Sequence, residues 1–81
     1  MGNFAERLKE IRLQKNLTQE AFAAIAGVTK KSQLNYEKGE RSPDADYLMR
    51  LAEEGLDVKY LLTGKHDRSK LNYIQRQLLD F

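Results

Sequence analysis

Cysteine is missing from all 81 residues. Its absence removes disulfides, a thiol nucleophile and any cysteine-built zinc site, and suits a reducing compartment. Histidine occurs once, at His66, beside Asp67 in a polar stretch with no second metal ligand at usable spacing, so no metal and no cofactor is expected. No apolar run approaches the ~20 residues of a membrane span, and no membrane partner is expected. The opening Met1-Gly2-Asn3-Phe4-Ala5-Glu6 lacks the basic-then-apolar order of a secretory leader, which points to the cytoplasm. A glycine-rich phosphate loop and a nucleophile–base pair are also lacking. The acidic pairs Glu53-Glu54 and Asp44/Asp46 fall on expected helix surfaces or starts, where complementarity to the helix dipole accounts for Asp44 and Asp46. With no catalytic residue to name, an enzyme is not expected. Alternating Val/Ile/Thr runs, internal repeats and low-complexity tracts are absent as well, so strands are not expected.

What remains is a chain with 41% hydrophobic and 32% charged residues, globular in balance and long enough for one small core. The net charge of +2 permits a polyanionic partner without requiring one. Phe4, Leu8, Ile11 and Leu13 recur near helical spacing behind Asn3, with Glu6 three residues on as in a capping box; the first helix should run from about Phe4 to Lys15. Thr18 caps a second, alanine-rich helix anchored by Phe22 and ended by Gly27, and Thr29 caps a third that stops at Gly39. Ser42-Pro43 reads as cap and first helical position of a fourth helix, with Leu48, Met49, Leu51 and Ala52 as its apolar face and Gly55 as its close. Asp57 caps a fifth, from Val58 to Thr63, closed by Gly64. Leu71, Ile74 and Leu78 mark a sixth near the end of the chain. The expected organisation is a five-helix domain over residues 1–64, with helix two at 18–26 and helix three at 29–38, followed by a linker and C-terminal helix over 65–81.

The second and third helices are each too short to bury a face alone and meet at Ala26-Gly27-Val28. A steep pair of this kind needs a small residue at the close approach, and Ala23 fits it, with Phe22, Ala26, Val28 and Tyr36 as local core. Leu17-Thr18-Gln19-Glu20-Ala21-Phe22-Ala23, Gly27-Val28-Thr29, Tyr36-Glu37-Lys38-Gly39 and Ser42-Pro43, in this order, resemble the Cro and lambda-repressor-like (XRE) helix-turn-helix family. Asp57-Val58-Lys59-Tyr60-Leu61-Leu62-Thr63-Gly64 resembles the fifth helix of many bacterial members. The similarity covers about residues 4–64. It implies an all-α, compact, lambda-repressor-like domain and a sequence-specific transcriptional regulator, a repressor by default. Such a protein would bind a palindromic double-stranded DNA operator as a homodimer, with helix three in the major groove.

By that resemblance Lys30, Lys31, Gln33, Leu34 and Asn35 are the base-reading candidates. Lysine can donate to guanine and asparagine can pair with adenine. Thr18, Gln19, Thr29, Ser32, Lys38, Arg41 and Ser42 are the phosphate candidates; Gln19 lies in the first turn of helix two, where free N–H groups favour an anion. Arg12 and Glu37 are expected as a structural ion pair tying helix one to the end of helix three. The chain departs from the family at Gln33-Leu34, where an apolar residue usually comes first and a polar one second. Two arrangements fit: helix three rolls to bury Leu34 and free Gln33 for a base, or Leu34 faces a thymine methyl while Gln33 is bonded inside.

Leu71, Ile74, Leu78 and Phe81 are the dimerisation candidates, since the tail carries more apolar surface than a solvated end needs. They could instead fold back on the core, and the apolar finish at Leu79-Asp80-Phe81 is also consistent with a piece of a longer regulator. The alternative function is an antitoxin or protein-interaction module on the same fold, its tail masking a toxin partner.

Overall fold

The computed structural model describes residues 3–66. Five helices follow in order: α1 (Phe4–Gln14), α2 (Gln19–Ala26), α3 (Lys30–Lys38), α4 (Ala45–Glu53) and α5 (Val58–Thr63). No strand occurs among the described residues. The sixth helix expected from the sequence lies outside them, as does Asp67.

Each of these five helices starts on a side chain that satisfies an orphan N–H of its first turn. Asn3 accepts from Glu6 N while the Glu6 carboxylate returns to Asn3 N, a complete capping box. Thr18, Thr29, Asp44 and Asp57 accept from Ala21, Ser32, Tyr47 and Tyr60 N respectively. Here the expectation for the fourth helix is corrected. Ser42-Pro43 does not begin it; Asp44 caps it and Ala45 is its first residue, because a carboxylate at the cap satisfies the Tyr47 N–H and also meets the positive end of the dipole.

Leu8 and Ile11 of α1, Phe22 and Ala26 of α2, Tyr47 and Leu51 of α4 and Leu61 of α5 form one buried cluster. Phe4, Leu17, Val28 and Tyr36 pack around it. Leu8, Leu51 and Leu61 are wholly inaccessible, and burial of each contributes about 1.5–3 kcal/mol. Leu13 and Met49, counted on apolar faces from spacing, are instead more than half exposed, and so is Leu62 of α5; these helices are too short and too few to bury a wide stripe. The Arg7 guanidinium of α1 donates from Nε to Leu61 O at 3.0 Å, meeting the carbonyls at the end of α5. The Tyr60 hydroxyl donates to Glu10 at 2.5 Å. These contacts hold α5 on α1, while α3 packs on α1 and α2.

Candidate nucleic-acid interface

The turn between α2 and α3 is built by Gly27, whose φ of +76° is left-handed. Val28 N donates back to Ala23 O at 2.9 Å and Gly27 N to Ala24 O at 3.3 Å, closing the helix. Gly27 also lies under a side chain of α4. A Cβ there would stand 3.4 Å from the Arg50 guanidinium, which donates to Ile25 O at 3.4 Å. Ala23, 1% exposed, lets the two helices approach. The hydroxyl of Thr29 accepts from Ser32 N and donates to Ser32 Oγ, both at 3.1 Å, so it fixes the first turn of α3.

Beneath α3 runs a chain of buried polar side chains. The Glu37 carboxylate takes both arms of Arg12, Nε at 2.8 Å and Nη2 at 3.1 Å, while Arg12 Nη1 donates to Leu17 O at 2.8 Å. The two side chains are only 9% and 3% exposed. Gln19 Nε2 of α2 reaches the same carboxylate at 3.4 Å, and Gln33 Nε2 reaches it at 2.7 Å. Gln33 Oε1 in turn accepts from the Tyr47 hydroxyl of α4 at 2.6 Å, and the Tyr47 ring meets Tyr36 edge-on, centroids 4.9 Å apart. Among the described residues no buried side-chain polar atom lacks a partner. Burial pushes the Glu37 carboxyl upward, but the hydrogen bonds from Arg12, Gln33 and Gln19 and the charge of Arg12 outweigh it and hold its pKa below the ordinary 4.5. Burial drives the Tyr47 hydroxyl far above the usual phenol range, so it stays a donor.

Gln33 as a base reader is therefore corrected. It has no exposed surface and both ends of its amide are engaged inside. Position 33 faces the interior, and an amide stands there because Tyr47 and Glu37 need an acceptor and a donor between them. Leu34 and Asn35 are partly exposed, and Lys30, Lys31 and Lys38 are exposed. At 100° per residue, Lys31 and Asn35 project from the side of α3 roughly opposite Gln33. Thr18, Thr29, Arg41 and Ser42 are exposed, while Gln19 and Ser32 are partly covered. Lys30 shares a shallow depression with Arg12, Thr18, Gln19 and Glu20 at the N-terminus of α2. Leu71, Ile74, Leu78 and Phe81 lie outside the described residues. Tyr47, Arg50 and Arg7 were missed as structural polar residues; a tyrosine in an apolar stripe, whose hydroxyl must find a partner when buried, was the available signal for the first. His66, expected in a linker, stacks on Tyr60 and approaches Asp57 at 3.1 Å. Among the described residues no acidic or histidine cluster could hold a metal ion, and no helix is long and apolar enough to cross a membrane.

Five capped helices, with two of them joined through a left-handed glycine and carried on the other three, define a lambda-repressor-like helix-turn-helix domain. Residues 8–54 match the helix-turn-helix family model, and the chain belongs to that family, in its Cro and lambda-repressor-like (XRE) branch of transcriptional regulators. It is 35% identical over 72 residues to the SPbeta prophage-derived uncharacterized HTH-type transcriptional regulator YonR of Bacillus subtilis, covering 88% of this chain and 67% of the relative. It is 42% identical over 64 residues to the uncharacterized HTH-type transcriptional regulator YqaE of the same organism, covering 76% and 54%. To the cryptic phage CTXphi transcriptional repressor RstR of Vibrio cholerae it is 36% identical over 50 residues, covering 62% and 45%. The chain thus spans from about two thirds to under half of the length of these relatives. The P22 c2 repressor protein, solved in complex with a synthetic operator, shares the fold with a TM-score of 0.73 at 24% identity, over 80% of this chain and all of that one.

Proposed function

We propose that this protein is a sequence-specific transcriptional regulator that places α3 in the major groove of double-stranded DNA. The observation that carries the reading is the division of α3 into two sides. Gln33 and Glu37 are consumed by the interior, while Lys30 and Lys31 are exposed and Leu34 and Asn35 partly so; in this reading these four read the bases, Leu34 through a thymine methyl. Thr18, Gln19, Thr29, Ser32, Lys38, Arg41 and Ser42 surround that face as phosphate contacts. The N-terminus of α2 contributes unpaired N–H groups and the positive end of its dipole. Residues 1–64 form the DNA-binding domain in this reading, and 65–81 form a linker and dimerisation element through Leu71, Ile74, Leu78 and Phe81. The Vibrio cholerae relative is by name a repressor, and repression of a palindromic operator by a homodimer is the sense proposed here.

Selection of random duplex DNA on the purified protein, at low and moderate salt, tests the reading. The expected product is a two-fold symmetric motif with half-sites about one helical turn apart. Asn35→Ala and Lys31→Ala should each relax preference at one position per half-site, costing about 1–3 kcal/mol there. Recovery of no motif, with binding that vanishes as salt is added, would leave only backbone attraction and overturn the proposal.

A further inference from the structure

Resting on that reading, we propose that Tyr47 is a positioning residue for base recognition. Acting through Gln33, it fixes the roll of α3 about its own axis. Tyr47 belongs to α4 and lies 14 residues from Gln33 in the chain, yet its hydroxyl donates to Gln33 Oε1 at 2.6 Å. The other end of the same planar amide donates to Glu37 at 2.7 Å, and Glu37 is gripped by both arms of Arg12. α3 is thus moored at two points along its inner side, toward α4 at Gln33 and toward α1 at Glu37. An apolar side chain at position 33 would hold the helix by non-directional packing, which tolerates sliding and rotation. Hydrogen bonds of this geometry weaken steeply with angle and fix a direction.

The mooring matters because of what lies opposite. Lys31 and Asn35 project roughly 160° around the helix from Gln33. A roll of about 10° on a helix of about 5–6 Å outer radius carries their stems about 1 Å along the groove, enough to take a bidentate contact out of hydrogen-bonding range. Neither Tyr47 nor Gln33 needs to approach DNA for this role; both are buried, at 2% and 0% exposure.

The test compares the full chain, Tyr47→Phe, and the double variant Tyr47→Phe/Gln33→Leu. For each, the melting temperature, affinity for the selected site and its single-base variants, and affinity for non-specific duplex at low salt are measured. Tyr47→Phe strands Gln33 Oε1 without a donor and should lower the melting temperature. The double variant removes both polar ends and should recover most of that loss. Base preference should behave differently. The discrimination of roughly five- to 150-fold per mismatched base pair that is ordinary for such proteins should shrink to a few-fold in both variants, with non-specific affinity unchanged. A double variant that regains the melting temperature and the wild-type preference together would overturn the proposal, because the relay would then contribute stability alone. So would a Tyr47→Phe protein that discriminates like the wild type. A wild-type chain with no base preference would instead sink the underlying reading.

Discussion

Glu37 receives four hydrogen bonds, two from Arg12, one from Gln19 and one from Gln33, so three helices share one carboxylate. Replacing it with alanine leaves the Arg12 guanidinium charged and nearly covered, without its partner. The expected cost is about 3 kcal/mol, read as a lower midpoint in denaturant, and an unchanged midpoint would show that solvent already compensates Arg12. The same carboxylate sets an acid limit. Its pKa is lowered in the fold, so the unfolded chain binds more protons over the acid range. The contribution is therefore whole above the ordinary value of 4.5 and is lost as pH falls through the folded value. Between about pH 6 and about pH 3 the wild type should lose more stability than Glu37→Gln, which has no proton to take up there; parallel curves would assign the acid sensitivity elsewhere. At this scale the sequence was only half legible. The pairing of Arg12 with Glu37 was legible through the resemblance to the repressor family, and the structure forms it. For Gln33 the sequence leaves two arrangements open, freed toward a base or bonded inside, and the spacing within α3 gives no hint of a hydroxyl on α4.

Gly27 joins the two helices of the motif, and it combines a backbone demand with a spatial one. Its φ of +76° costs an L-residue about 1–2 kcal/mol, and its missing side chain leaves the space over which Arg50 lies at 3.4 Å from any Cβ. Gly27→Ala should therefore destabilise by about 1–2 kcal/mol in chemical denaturation. Gly27→Asn should cost less of the backbone share, because asparagine visits the left-handed region more readily. Equal losses for the two would mean that crowding against Arg50, and not φ, governs the turn. Elements punctuated this way were legible. α2, α3 and α5 lie between a Thr or Asp cap and a left-handed glycine, and both signals are local in sequence. α4 was displaced at its start because two valid cap signals stand two residues apart. Only the hydrogen bond from Tyr47 N to Asp44 Oδ1 at 3.0 Å decides between Ser42 and Asp44.

The whole molecule carries a net charge of only +2, too little for a general attraction to DNA to explain directed binding. The distribution matters more than the sum. Lys30, Lys31, Lys38 and Arg41 are exposed on and just after α3 with one acid, Glu40, among them, whereas Asp44, Asp46, Glu53 and Glu54 are exposed along and beside α4 with one base, Arg50. Screening over about 10 Å at 0.1 M salt confines each group to its own side, so one face attracts phosphate and another repels it. The protein should then bind in one orientation and release counterions only from the α3 side. Arg41→Ala should flatten the dependence of log affinity on log salt by about 0.9 per bound protomer. Lys9→Ala, an equal loss of charge on the exposed side of α1, should leave that slope unchanged while removing the same amount of net charge. Equal flattening by both substitutions would mean that phosphate meets the protein on many sides, and the orientation inferred for α3 would fail with it.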